Sequence, residues 1–226
     1  MKYLLKKLRR AVIPNNWLNL RKIEPISRVF GFDRGTPIDR VYIEHFLNIN
    51  KQYIQGVVCE IADNSYSKKY GSNVKAYEIL HYTNDNPRAT IVGDLTDIST
   101  LPQNRVDCFI LTQTLNFIYD FKSAIKGVHY MLKKDGVVLA TVSGISQISR
   151  YDMDRWGDYW RFTNLSAKRI FEEAFGKGNV DIKTYGNVLT AISFLHGISA
   201  EELTREELFF TDEDYQILIG IKAVKK

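Results

Sequence analysis

The sequence predicts an α/β fold: a parallel sheet covered by helices on both faces. Two features predict it. Candidate strands and helices alternate from about residue 40 to residue 180, as in chains whose parallel strands are joined by helical crossovers. The strand candidates are also continuous apolar runs, the pattern of strands buried on both faces. The 226 residues, 45% of them hydrophobic and 25% charged, suit one globular domain that needs no disulfide or metal to fold.

The elements follow in order. Gly35-Thr36-Pro37 is a turn, and Ile38, Val41, Tyr42 and Phe46 then give a helical stripe. Four strand candidates come next: 56–62 (GVVCEIA), 74–80 (VKAYEIL), 89–93 (ATIVG) and 106–112 (VDCFILT). Residues 122–132 form a helix with Ala124, Ile125, Val128 and Leu132 on one face, and Lys133-Lys134-Asp135-Gly136 reads as its basic last turn and glycine stop. The fifth strand is 137–142 (VVLATV). A polar and aromatic stretch, 143–163, separates it from a helix over 164–175, a strand over 180–185, a helix over 188–196 and a last strand over 216–224. Cys59 and Cys108 lie inside apolar runs and read as small buried hydrophobes; the chain offers no metal-ligand pattern.

The net charge of +5 does not mark a nucleic-acid binder. Residues 1–10 hold five of the 31 basic side chains and no acid, so the remaining 26 basic residues match the 26 acids. A folded domain without basic excess has no stripe for a phosphate backbone. Met1, Leu4, Leu5, Leu8 and Val12 fall at helical spacing among lysines and arginines. Such a basic amphipathic helix lies on an anionic membrane, packs on its own domain or frays. With no apolar run of spanning length and no signal-peptide pattern, the expected location is cytoplasmic, with peripheral membrane contact through residues 1–12 only in the first of these three cases. The expected organisation is a basic amphipathic segment over 1–32 and one domain over 33–226, with 143–163 as a substrate-side insert or cap. Nothing in the sequence fixes the oligomeric state.

In a parallel sheet of this kind, ligands bind beyond the carboxyl ends of the strands, where the strand order reverses. The strand ends carry Glu60 with Asp63 and Asn64, then Glu78, Asp94, Gln113 with Thr114, and Ser143. Glu78 lies 18 residues after Glu60, close to the spacing at which an acid accepts from both ribose hydroxyls of a nucleoside ligand. The chain has no G-x-G-x-x-G, no G-x-x-x-x-G-K-[ST] and no G-x-S-x-G, which argues against a nicotinamide enzyme, a phosphate-loop protein and an α/β-hydrolase.

VVCEIADNS, IVGDLTD, DCFILTQTLNFIYD and the run AIKGVHYMLKKDGVVLATV over 124–142 together resemble the class I S-adenosylmethionine-dependent methyltransferases. The resemblance implies a Rossmann-like, mostly parallel seven-stranded sheet whose last strand is antiparallel, and S-adenosylmethionine as cofactor. It implies that Glu60 and the backbone of Ala62, Asp63 and Asn64 hold the methionine part. Glu78 would hold the ribose, Asp94 and Leu95 the adenine, and Gln113 and Thr114 would lie beside the sulfonium and the acceptor. YDMDRWGDYWRFT over 151–163 resembles segments of methyltransferases that accompany glycosyltransferases in surface-polysaccharide biosynthesis, which points to O-methylation of a sugar or glycan precursor.

The sequence departs from that family at its glycine-rich first loop, where Ala62, Asn64 and Tyr66 stand at the glycine positions. Asn64 takes up a positive φ more readily than most residues, and Tyr66 is the bulkiest departure. Two outcomes follow: a rearranged loop that still binds cofactor, or a non-catalytic methyltransferase-like domain that binds a partner in a glycan-assembly complex. On the acceptor side, Tyr151, Arg155, Trp156, Tyr159 and Arg161 offer ring faces and guanidinium groups suited to a sugar. Asp152 and Asp158 are the candidates for a general base.

Overall fold

A computed structural model describes residues 5–8, 12 and 22–226 of the chain. The expected helix over 1–12 lies largely outside the described residues; Leu5, Leu8 and Val12, which lie inside them, are exposed. No described helix is long and apolar enough to cross a membrane.

Seven strands form one sheet: β1 Gly56–Ile61, β2 Val74–His81, β3 Ile91–Val92, β4 Val106–Thr112, β5 Leu132–Ser143, β6 Val180–Tyr185 and β7 Leu218–Val224. Their order is β3-β2-β1-β4-β5-β7-β6. β7 runs antiparallel to both β5 and β6, and the other neighbours are parallel. The expected mostly parallel sheet with an antiparallel last strand is therefore what forms. Strand order reverses between β1 and β4, which puts the switch point there.

The helices are α1 Ile38–Ile49, α2 Ser65–Tyr70, α3 Phe121–Met131, α4 Arg150–Met153, α5 Asn164–Phe175, α6 Val188–His196 and α7 Arg205–Phe209. They cover two separate apolar clusters, one on each face of the sheet. α3 and α5 pack on one face through Ala124, Ile125, Val128, Phe171 and Phe175. α1, α6 and α7 pack on the other through Ile38, Tyr42, Phe46, Phe194 and Leu208. Alternate residues of one strand feed opposite clusters: Cys59 and Phe109 join the first, Val58, Cys108 and Ile110 the second. This two-sided demand explains why the strands read as continuous apolar runs. Both cysteines are buried, and burial pushes their thiols up.

The turn after α3 differs from expectation. Gly136 is not a helix stop. The helix ends at Met131, and Leu132 is already extended, at φ −68° and ψ 139°, where it pairs with Val106. The left-handed residue is Asp135 at φ +62°, inside an irregular stretch of β5 tied to the chain end by Asp135 N donating to Lys225 O at 2.7 Å. Burying Leu132 in the core fixes the strand start, which local turn residues did not reveal.

α3 approaches the sheet edge so closely that a Cβ on Gly127 would stand 2.1 Å from the backbone oxygen of Leu95. Backbone cannot swing aside as a side-chain tip can. Gly127→Ala should therefore destabilise the protein by about 1–3 kcal/mol, reversing the roughly 1 kcal/mol that alanine gains over glycine in a free helix. Urea denaturation checks this; an equal or higher midpoint would refute the close approach.

Candidate functional site

A cavity of about 450 Å³ opens at the carboxyl ends of β1, β4 and β5, at the switch point. Its volume is that of a small-molecule site. β1 and its loop contribute Glu60 and Asp63, β4 Thr112 and Gln113, and β5 Ser143. The segment after β5 adds Gln147, Ser149, Asp152, Asp158 and Arg161, and the opposite wall is Val29, Phe30, Phe32, Asp39, Arg40 and Ile43.

The β1 loop is built around Glu60, which is buried. Burial pushes its carboxyl up, and hydrogen bonds from the start of α2 pull it back: Ser67 N donates to it at 2.6 Å and Tyr66 N at 3.2 Å. The acid thus satisfies amides at a helix start that have no partner within the helix. Between strand and helix the chain turns sharply, with Asp63 N donating to Ile61 O at 2.8 Å across Ala62 at φ +66°. The left-handed position falls on Ala62, not on Asn64, whose φ is −127°. Asp63 closes the turn by accepting from Ser65 N at 2.9 Å. Tyr66 is tolerated at a glycine position because it lies in the first turn of α2, where its ring meets the Arg40 guanidinium and stacks on Tyr70.

The acids expected to hold the adenosine half are committed elsewhere. Glu78 is not at the end of β2. It pairs with Cys59 across the sheet, and its carboxylate accepts from Arg105 at 2.6 and 3.0 Å and from Thr90 Oγ1 at 2.5 Å. Asp94 lies at the end of β3, where it accepts from the backbone and hydroxyl of Thr96, both at 2.8 Å. The Leu95 side chain is in the core. Asn86 Nδ2 donates to Ala62 O at 2.8 Å, bridging the ends of β1 and β2. None of Ala62, Asn64, Glu78, Asp94, Leu95 or Thr114 lines the cavity. Thr114 instead donates its hydroxyl to Thr112 O.

Gln113 follows β4 at φ +48°, with its backbone N donating to Thr141 O. Its side-chain oxygen accepts from Ser143 Oγ at 2.7 Å and Asn116 Nδ2 at 3.3 Å. Among the described residues, two buried side-chain polar atoms have no partner: Gln113 Nε2 and Arg161 Nε. Both residues line this cavity. A buried donor without an acceptor is costly, and an oxygen brought by a ligand would relieve that cost.

The segment over 143–163 crosses the rim. Asn116 O accepts from Tyr159 N and Trp160 N, and Trp160 Nε1 donates to Tyr119 O. Asp158 and Arg161 form a two-pronged pair at 2.5 and 2.9 Å, and Ser149 N donates to Asp158 at 3.0 Å. Burial pushes the Asp158 carboxyl up, but Arg161 and the Ser149 amide outweigh it and hold it below the usual carboxylate range. A carboxylate so held is a poor proton acceptor. Asp152 is freer: Ser149 Oγ donates to one oxygen at 2.5 Å. Of the expected acceptor residues only Arg161 lines the cavity. Tyr151 is exposed under the Arg155 guanidinium at 3.6 Å, Trp156 meets His81 and Tyr82 edge-on, and Tyr159 meets Tyr119.

The wall from residues 29–43 carried no motif and was not foreseen. Phe30 reaches it by packing against Phe194, 5.6 Å between rings. Asp39, in the first turn of α1, has its carboxyl pushed up to about 6 by burial, against the pull of Arg40. An acid following Pro37 at a helix start was the one available signal, and it also fits an ordinary helix terminus.

Residues 53–140 match the sequence model of a family described as a methyltransferase domain. No curated protein matches. Among solved structures, the chain is similar to an S-adenosylmethionine-dependent methyltransferase from Archaeoglobus fulgidus, with 14% identity, 82% of this chain and 94% of that one covered, and a TM-score of 0.53. It is also similar to an S-adenosylmethionine-dependent methyltransferase from Mesorhizobium loti (14%, 83% and 98%, 0.50). A third is phosphoethanolamine N-methyltransferase 2 from Haemonchus contortus in complex with S-adenosyl-L-methionine (14%, 80% and 52%, 0.50). The sheet order is that of the Rossmann-like fold of these S-adenosylmethionine-dependent methyltransferases, and residues 53–140 lie within it. The cavity's carboxylates, Glu60 and Asp63 at the end of β1 among them, fit the positively charged amino-acid and sulfonium end of S-adenosylmethionine. The Glu78 carboxylate, the residue expected at the ribose, is taken up by Arg105 and Thr90.

Two outcomes follow. Ala62→Gly removes a left-handed alanine, whose cost exceeds glycine's extra backbone entropy, and should stabilise the protein by about 0.5–1 kcal/mol in urea denaturation; a loss would contradict the loop geometry. Asp39 binds its proton more tightly folded than unfolded, so its charge destabilises the fold as pH rises from about 4 through about 6. Asp39→Asn should then gain about 1–3 kcal/mol at pH 7.5 and nothing at pH 3.5. A gain independent of pH would mean that desolvated charge is not the cause.

Proposed function

We propose that this protein is an S-adenosylmethionine-dependent methyltransferase that methylates a hydroxyl of a sugar or glycan precursor. The observation that carries the reading is the pair of unpartnered donors, Gln113 Nε2 and Arg161 Nε, in the cavity at the switch point. Two donors flanked by Ser143, Asp152 and Asp158 suit a ligand rich in oxygen. When bound, S-adenosylmethionine supplies a methyl group already activated by its sulfonium.

The chain's own work is then positioning and proton transfer. Gln113 and Arg161 hold acceptor oxygens, and orientation of this kind supplies much of the rate in a two-substrate displacement. Asp152 accepts the hydroxyl proton as the acceptor oxygen gains the methyl carbon. Ser149 fixes Asp152 through one carboxylate oxygen, which leaves the other for the acceptor. Asp158 acts as a positioning residue that orients Arg161.

One observation favours a second reading, a non-catalytic domain that binds a partner. Glu60, Glu78 and Asp94 all spend their carboxylates on groups of the chain itself. A thermal-shift titration decides. Saturating S-adenosylmethionine or S-adenosylhomocysteine at about 100 times Kd should raise Tm by roughly 5–10 °C, with no shift from NAD. No shift at millimolar ligand selects the second reading. Given binding, Asp152→Asn should lower kcat about 10²-fold or more on a sugar acceptor while S-adenosylhomocysteine affinity holds; an unchanged kcat would move the base elsewhere.

A further inference from the structure

A second groove, of about 390 Å³, adjoins the cavity. Three separate chain segments build it. Lys22 and Arg28 come from the stretch before α1, Arg150 opens α4, and His196 ends α6. The groove is not a chance gathering of loose side chains, because backbone ties fix its walls. Ile26 N and Ser27 N both donate to His196 O, at 2.8 and 3.1 Å, and Gln147 Nε2 donates to Arg28 O at 3.0 Å.

Its charge is one-sided. Three cationic side chains and an imidazole face the groove, against a single carboxylate, Glu24. Among the described residues, none of Lys22, Arg28 and Arg150 has a carboxylate within ion-pair distance, whereas Arg34, Arg105 and Arg161 each pair closely with one. Outside its first ten residues the chain has no excess of basic residues. Collecting unpaired cations at one spot costs repulsion, which an anion bound there removes.

The groove is continuous with the cavity. Gln147 lines both, and Arg28 and Arg150 each adjoin a residue of the cavity wall, Val29 and Ser149. Between the cations the lining is apolar, from Pro25, Ile148 and Leu195. We propose that this groove is a binding site for a phosphate group carried on the acceptor, Arg28 and Arg150 being its main donors. The acceptor class is then a phosphorylated molecule whose reactive hydroxyl lies past Gln147, beside Asp152. The second half of this statement rests on the reading of the cavity as the reaction site; anion binding in the groove does not.

The test is calorimetric titration of the full chain with phenyl phosphate, benzyl alcohol as control, and S-adenosylhomocysteine in parallel. Phenyl phosphate should bind saturably and benzyl alcohol should not. Arg28→Ala/Arg150→Ala should weaken phenyl phosphate by about tenfold or more, Arg28→Lys/Arg150→Lys should retain most of the affinity, and S-adenosylhomocysteine binding should be equal in all three. Sedimentation with phosphatidylglycerol vesicles separates the sources of phosphate. A vesicle affinity that drops in the alanine pair, with residues 1–12 intact, assigns the phosphate to a lipid headgroup; an unchanged vesicle affinity with weakened phenyl phosphate assigns it to a soluble acceptor. Absence of phenyl phosphate binding together with unchanged vesicle binding, or equal affinities in the alanine pair, overturns the proposal. Loss of S-adenosylhomocysteine binding alone, with phenyl phosphate binding intact, overturns only the methyltransferase reading.

Discussion

The carboxylate of Glu60 organises this molecule. It sits near the carboxyl end of the inner strand β1, buried, with two amides from α2 donating to it. Burial pushes its carboxyl up, and the hydrogen bonds from Ser67 and Tyr66 pull it part of the way back. To bring those amides within reach, the chain must reverse within a few residues of leaving the sheet. That need forces the positive φ at Ala62 and the tight turn through Asp63. It also starts α2 early enough for Tyr66 to reach the cavity wall beside Arg40.

Much of the fold was legible in the sequence because it rests on local pattern. The α5 and α6 boundaries follow from capping residues: Thr163 with Ser166 and Asn187 with Thr190 each form a reciprocal cap. The strands follow from apolar runs that must feed two cores at once. Where a pattern had two readings, the long-range partner decided. Lys133 to Gly136 reads locally as a helix stop, but Leu132 is drawn into β5 by Val106, 26 positions earlier in the chain.

The site was less legible, since register and cross-chain pairing assign its residues. Glu78 has the right spacing from Glu60, yet register sets it beside Cys59, within reach of Arg105, and the strand end falls to His81. Asp152 and Asp158 looked alike as acids among aromatics. Arg161, three residues beyond Asp158, makes one a locked ion pair and leaves the other freer. The wall from 29–43 was invisible because it is set by packing on α6, through Phe30 and Phe194. Gln113 was visible by position, but its unpartnered amide was not.

The chain's charges are sorted by place. Five carboxylates, Asp39, Glu60, Asp63, Asp152 and Asp158, line the cavity against two guanidinium groups, Arg40 and Arg161. The groove next to it holds unpaired cations. One chain with a neutral body has thus made two neighbouring sites of opposite sign, separated by Gln147. A wall of acids in a partly desolvated cavity attracts a positive ligand more strongly than water-exposed acids do. Burial in that wall also raises the cost of charge, and it is burial that pushes Asp39 up to about 6. For a ligand whose positive charge disappears in the reaction, such a wall binds what enters more tightly than what leaves. Interactions of that kind hold the starting state and speed departure of the product; they do not lower the barrier itself. On the proposed reading, rate must then come from placement of the acceptor, which is the part that reading gives to the two unpartnered donors and the neighbouring basic groove.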